Sequence, residues 1–99
     1  MELDRIIHEP VRLRIMAMLG AVDTADFKFM ISTLRLSKGN LSSHVEKLES
    51  AGYVKVMKSF NGKITCTEYA LTPKGRKALD HHWKALDKIR AVGRNGTNP

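Results

Sequence analysis

The sequence predicts a mainly α-helical domain with one small β-hairpin, in the order helix, helix, helix, hairpin, helix, the last helix being long. Three observations predict it. Apolar residues recur at helical spacing in three segments between residues 10 and 51. Asn61-Gly62 lies between two strand-like runs, a strong signal for a two-residue hairpin turn. Thr72-Pro73 then opens a further helical pattern, a capping residue followed by proline at the first helical position. The chain has 99 residues, room for one domain and one core. Residues 1–92 are expected to form that domain, and the Gly/Asn-rich residues 93–99 a flexible tail.

The elements follow in order. Leu3, Ile6 and Ile7 form a short apolar stripe. Pro10 suits the start of a helix, because its missing N–H has no partner there in any case. Val11, Ile15, Met18 and Val22 then share one expected buried face, and Gly20 marks the helix end. A second helix begins near Asp26, with Asp23, Thr24 or Asp26 as cap. Phe27, Met30, Ile31 and Leu34 form its apolar side. Arg35-Leu36-Ser37 is a turn, and Ser37 caps a third helix over residues 38–51. Leu41, Val45 and Leu48 are its inner stripe, and Gly52 stops it. Residues 53–60 and 63–71 read as strands around Asn61-Gly62. With those two as the turn, Lys55 faces Glu68, Met57 faces Cys66 and Val54 faces Tyr69. The last helix spans residues 73–92, with Leu79, Trp83, Leu86 and Arg90 on one side and His82 and Ile89 at its edge. This order is the plan of a winged helix-turn-helix.

Charge narrows the function. The net charge is +7, with 17 Lys and Arg against 10 Asp and Glu, which favours a polyanionic partner. Residues 1–34 carry net −1, residues 35–65 net +4 and residues 66–99 net +4, so the positive field lies beyond the first third. Cys66 is the one cysteine, which excludes an intramolecular disulfide and a cysteine-based structural zinc site. We read Cys66 as a packed small residue. His81 and His82 are adjacent, point about 100° apart on a helix and make a poor chelate. No metal site and no cofactor are expected. No apolar run approaches a membrane span, and residues 1–10 lack a signal peptide's apolar stretch, so a cytoplasmic location is expected.

The segment that carries function is the helix-turn-helix. In such motifs the second helix enters the DNA major groove. Opposite Leu41, Val45 and Leu48 lie Gly39, Ser43, Lys47 and Ser50, with Asn40 and Ser42 on the flanks. These small polar and cationic residues donate to phosphates and to base acceptors and allow close approach. Lys38 stands at the helix start, where the helix dipole also favours a phosphate. His44 lies near the edge of the inner face, suited either to a phosphate or to packing. The hairpin tip collects Lys58, Asn61 and Lys63, a basic ribbon within reach of the backbone or the minor groove. Phe60 is either packed beneath the hairpin or exposed. Leu3, Ile6, Ile7, Leu79, Trp83 and Leu86 offer an apolar surface for a homodimer, which places two recognition helices about one DNA turn apart.

Three stretches resemble the ArsR- and MarR-like regulators. They are His8-Glu9-Pro10-Val11-Arg12-Leu13-Arg14-Ile15-Met16, the run from Leu36-Ser37-Lys38-Gly39-Asn40 to Ala51-Gly52-Tyr53-Val54, and Leu71-Thr72-Pro73-Lys74-Gly75-Arg76-Lys77-Ala78-Leu79. The likeness covers about residues 3–90 and is strongest for compact single-domain members. It implies a homodimer joined through terminal helices. It also implies DNA contact by Lys38, Asn40, Ser42, Ser43, His44 and Lys47, and wing contact by Lys58 and Lys63. It carries over no sensor, because the cysteine pair of the metal-sensing branch is missing here, and a small-molecule effector stays unassigned. No phosphate loop, metal triad or nucleophile motif points to an enzyme. The competing reading is a winged helix used for protein–protein contact, which calls for apolar residues on the outer face of the third helix. RNA binding calls for exposed aromatics, and the chain is only 6% aromatic. The expected function is therefore sequence-specific regulation of transcription on double-stranded DNA.

Overall fold

The computed structural model describes residues 3–96 as α1 (Pro10–Gly20), β1 (Ala25–Asp26), α2 (Phe27–Leu34), α3 (Lys38–Ser50), β2 (Val54–Asn61), β3 (Ile64–Leu71) and α4 (Pro73–Gly96). The three strands form one antiparallel sheet in the order β1-β3-β2. The core lies between the helices and the inner half of this sheet. It contains Ile7, Ile15, Met16, Leu19, Met30, Leu34, Leu41, Val45, Leu48, Val54, Tyr69, Leu71 and Leu79.

Each helix starts as its sequence directs. Glu9 caps α1, its carboxylate accepting the Val11 N–H at 2.6 Å and the Arg12 N–H at 3.4 Å. Of the three candidate caps for α2, Asp26 takes the role, accepting from Phe29 N at 2.8 Å. Ser37 Oγ accepts from Asn40 N at 3.1 Å and opens α3. Thr72 Oγ1 accepts from Gly75 N at 2.9 Å and donates to the Gly52 carbonyl at 2.5 Å. One hydroxyl thereby ties the start of α4 to the exit of α3.

Several expectations need correction. The buried face of α1 is Arg12, Ile15, Met16 and Leu19, whereas Val11, Met18 and Val22 lie at its margin. β1 was not anticipated: two residues, Ala25 and Asp26, pair with Tyr69 and Glu68. The hairpin register also differs. Lys55 faces Ala70, Met57 faces Glu68, and Val56 rather than Val54 faces Tyr69. The central turn residues are Gly62 and Lys63, not Asn61 and Gly62. Gly62 has φ +66 and is the one positive-φ residue of this turn, the requirement of the first central position of a type II′ turn. The shift moves each partner by two positions, so every side chain keeps its face and the apolar pattern survives.

Cys66 is exposed, not packed. β2 and β3 are buried only at their inner ends, so the outer half of the hairpin projects past the core and Cys66 stays outside it. On α4 the centre of the inner stripe is Leu79, His82 and Ala85. His82, expected at the edge, is 1% exposed; Trp83, expected on the stripe, is 39% exposed. Arg90 is exposed and pairs with Asp87 at 3.2 Å. The helix continues past Val92 to Gly96, so residues 93–96 are helical rather than a loose tail; residues 97–99 lie outside the described residues.

Two tight spots follow from this packing. A Cβ on Gly75 would stand 2.0 Å from the Tyr53 carbonyl oxygen. That oxygen already accepts the Thr72 N–H at 3.0 Å, so neither backbone can retreat freely. Gly75→Ala is therefore expected to cost about 2 kcal/mol through backbone displacement; a urea midpoint equal to wild type would contradict this. His82 is the second spot, since both of its ring nitrogens are buried with no hydrogen-bond partner among the described residues. Burial, followed by the nearby His8, holds its pKa below the usual 6.5, although Asp4 pulls the other way. A depressed histidine favours the neutral fold. The unfolded chain takes up the proton first as pH falls through 6.5, and stability drops until the folded pKa is passed. His82→Leu should flatten this acid-side loss in thermal melts taken from pH 7.5 to 5, and an unaltered slope would assign the loss to other groups.

Candidate nucleic-acid interface

Leu41, Val45 and Leu48 are buried and fix the rotation of α3. At 100° per residue their burial turns the opposite side outward. Lys38, Gly39, Asn40, Ser42, Ser43, Lys47 and Ser50 are all exposed, as is Glu46. A Cβ on Gly39 would meet open space, so the entry to this face is unobstructed. Ser43, Lys47 and Ser50 border a shallow groove whose other wall includes Ile6. The freest part of the surface is thus the amino-terminal half of α3, the part that meets base edges in helix-turn-helix readers. No large apolar side chain stands on this face.

His44 sits differently from the rest. It is half-buried, with Nδ1 3.2 Å from an Arg12 guanidinium nitrogen and 3.1 Å from Glu9 Oε2. One nitrogen cannot serve both partners in one protonation state. Without a hydrogen Nδ1 accepts from Arg12; with one, in the Nδ1–H tautomer or the imidazolium, it donates to Glu9. Arg12 is itself buried. Its Nε donates to the Ile6 carbonyl at 2.6 Å, and its guanidinium lies 3.5 Å from Glu9. Glu9 therefore caps α1 and lies beside both Arg12 and His44. Burial alone would raise its pKa, but the Val11 and Arg12 amides and the two cations outweigh it and hold the carboxyl below its usual value. His44 thus joins α3 to the start of α1 while part of its ring stays exposed.

The sequence did not reveal Arg12 and Glu9 as supports of this helix. Arg12 was hidden because an arginine on a helix reads as a solvated side chain. The one available signal was Glu9 directly before Pro10, an acidic residue at the cap position. Two further contacts hold the motif. Arg14 donates to the Leu34 carbonyl at 2.7 Å, closing the end of α2. Arg35, in the left-handed conformation at φ 54, makes the sharp turn into α3 and is exposed.

A second network fixes the segment before α1. Asp4 Oδ1 accepts the Ile6 N–H at 2.8 Å and the Ile7 N–H at 3.3 Å, while the Tyr53 hydroxyl donates to Asp4 Oδ2. That bond, with burial and the Asp4 charge, pushes the Tyr53 phenol up to about 12. Ile7 is consequently driven into the protomer's own core, and Leu79 lies there too. These two leave no surface for a second copy, which corrects their assignment to a dimer contact. Leu3, Ile6 and Leu86 are half-buried and Trp83 keeps an exposed face.

The wing residues Lys58, Asn61 and Lys63 are all exposed, and Phe60 is exposed as well, resolving the two positions open to it. Lys58 shares a sheet face with Val54 and Val56, Asn61 lies on the other face, and Lys63 is in the turn. The three are thus gathered at one tip but not on one side.

Known proteins share this fold. Residues 11–90 match the family model described as a winged helix DNA-binding domain. A protein of Methanocaldococcus jannaschii, described as uncharacterized, is 34% identical over 79 residues, spanning 79% of this chain and 85% of that protein. The structure of a transcriptional regulator homologue from Pyrococcus horikoshii superimposes with a TM-score of 0.84 at 29% identity, covering 97% of this chain and 91% of that one. A putative MarR-family regulator from Porphyromonas gingivalis shares the fold, with a TM-score of 0.66 at 20% identity over 96% of this chain and 86% of its own. The family and fold are those of regulators, not of an enzyme. The chain belongs to the winged helix DNA-binding domain family and is a DNA-binding regulator with a MarR-like fold.

Proposed function

We propose that this protein is a sequence-specific, homodimeric transcription regulator that places α3 in the major groove of double-stranded DNA and its basic wing on the adjacent backbone or minor groove. The observation that carries the reading is the exposed row of Lys38, Asn40, Ser42, Ser43 and Lys47 on a helix anchored from behind by Leu41, Val45 and Leu48. Asn40 and Ser43 are the base-reading candidates, because amide and hydroxyl groups both donate and accept. Lys38, Lys47, Lys58 and Lys63 supply phosphate contacts, which set register and affinity. His44 contributes by holding α3 against Glu9 and Arg12 rather than by a primary contact. The net charge of +7 suits the polyanion. Among the described residues no helix is long and apolar enough to cross a membrane, and action on chromosomal DNA in the cytoplasm fits that finding.

The homodimer is supported by α4. This helix has 24 residues, about 36 Å at 1.5 Å per residue. Its inner stripe is covered by the protomer at Leu79, His82 and Ala85. The same stripe continues as Ile89 and Val92, which are 45% and 65% exposed. An apolar row that outruns its own domain matches a two-fold contact with a second α4. Trp83 and Leu86 flank this row, and Leu3 and Ile6 lie at the other terminus of the domain. Two copies related in this way present two α3 helices to one face of a duplex.

Replacing both Asn40 and Ser43 by alanine should weaken binding to a selected site about tenfold or more while leaving nonspecific affinity nearly unchanged. Equal losses on both DNAs, measured by fluorescence anisotropy, would remove base reading from α3. Ile89→Asp places a charge on the exposed stripe without touching the core. Sedimentation should then report monomers with an unchanged melting profile, and an intact dimer would reject this contact.

A further inference from the structure

The wing ends in apolar side chains that the fold does not use. Phe60 is 75% exposed and Ile64 67% exposed, on either side of the turn. Strand alternation places Phe60 with Val54, Val56 and Lys58, and opposite Thr65. Val54 and Val56 enter the core that α3 also enters. The row then runs outward from buried to exposed, ending in Lys58 and Phe60. Phe60 therefore stands on the face of the sheet that bears the helix-turn-helix, whereas Ile64 lies on the opposite face with Asn61.

Its setting is cationic. From Tyr53 to Thr67 the hairpin carries Lys55, Lys58 and Lys63 and no acidic residue. An aromatic ring at the tip of a hairpin whose outer part bears lysines and no acid, Glu68 lying at its inner end, is complementary to a surface with phosphate rails and an apolar floor. The minor groove is such a surface: it is about 6 Å wide, with sugars and base edges between two charged backbones. Side chains such as Phe, Leu and Ile enter it as wedges and part successive base pairs.

Resting on the DNA-binding reading above, we infer that Phe60 is an apolar wedge that inserts into the minor groove next to the α3 site, with Lys58 and Lys63 on the flanking phosphates. The wedge partly unstacks one base step and bends the duplex. Pyrimidine–purine steps such as TA and CA unstack most readily. Phe60 thus confers sequence preference at a step that no hydrogen bond reads. It also accounts for a large apolar side chain at a hairpin tip, where exposed edges otherwise invite aggregation.

The test uses the purified full chain and a duplex selected by it from a random library, labelled at both ends to report bending by energy transfer. Phe60→Ala is expected to lower affinity about tenfold and relax the bend. It should also flatten the preference at the wedge step. The dependence of affinity on salt should stay as in wild type, because no phosphate contact is lost. Lys63→Ala should instead reduce that salt slope by about one. Phe60→Leu keeps an apolar wedge and should retain most of the bend, which preserves the test if the alanine variant folds poorly. The inference is overturned if Phe60→Ala binds and bends DNA like wild type. It is equally overturned if its only effect is on salt slope, or if it dissolves a self-association and leaves DNA binding intact, which would make the tip a protein contact. Wild-type protein that ignores duplex DNA at low salt would sink the DNA-binding reading itself, a result distinguishable from failure of the wedge alone.

Discussion

Burial of Leu41, Val45 and Leu48 sets the angle at which α3 meets the outside, and the rest of the interface depends on that angle. Each of these side chains gains about 1.5–3 kcal/mol from leaving water. Rotating the helix by one residue, 100°, would expose part of this stripe and bury Ser42 or Lys47 in its place. Burying an amine or a hydroxyl without partners adds a further penalty of a few kcal/mol. The outer face is therefore selected by the inner one. Asn40 and Ser43 are not held outward by contacts of their own; they are outward because three aliphatic groups are not.

Hydrophobic anchoring fixes rotation but constrains tilt less well, and polar contacts complete the setting. Arg12 reaches from α1 to the Ile6 carbonyl and to His44, while Glu9 faces both cations and caps α1. At the other end, Thr72 ties the Gly52 carbonyl to the first turn of α4, and Gly75 lets that turn approach Tyr53. The recognition helix is thus held at its middle by a charged cluster and at its exit by a backbone clasp. Both clasps join elements distant in sequence, so the angle between α3 and α4 is a property of the whole domain. That matters for a dimer built on α4, because the separation of two α3 helices is transmitted through this joint.

The wing obeys a different logic. Only its inner half touches the core, and its outer half is held by strand pairing and the Gly62 turn. Its side chains are thereby released from packing. Lys58, Phe60 and Lys63 are available to a partner for the same reason that Cys66 is exposed. β1, two residues long, pairs with β3 only at Glu68 and Tyr69, so the exposed outer end of β3 from Ile64 to Cys66 lies beyond it.

By itself the sequence determined the order of elements, the caps at Ser37 and Thr72, a choice of three caps for α2, the inner stripe of α3 and hence its exposed polar face. All of these are local or periodic, set by hydrogen bonds within one turn or by side-chain spacing along one helix. The tertiary structure decided what depends on partners remote in the chain. It put Arg12 and His82 in buried positions that polar residues rarely occupy. It drew Ile7 and Leu79 inward, added β1, and set the hairpin register two residues away from the expected one. The register escaped because a two-residue slip preserves the alternation of faces, so the apolar pattern fits both pairings and only the backbone of Gly62 chooses between them. The burial of Arg12 escaped because its compensation comes from the Ile6 carbonyl and from His44 on another helix, contacts that no spacing rule encodes.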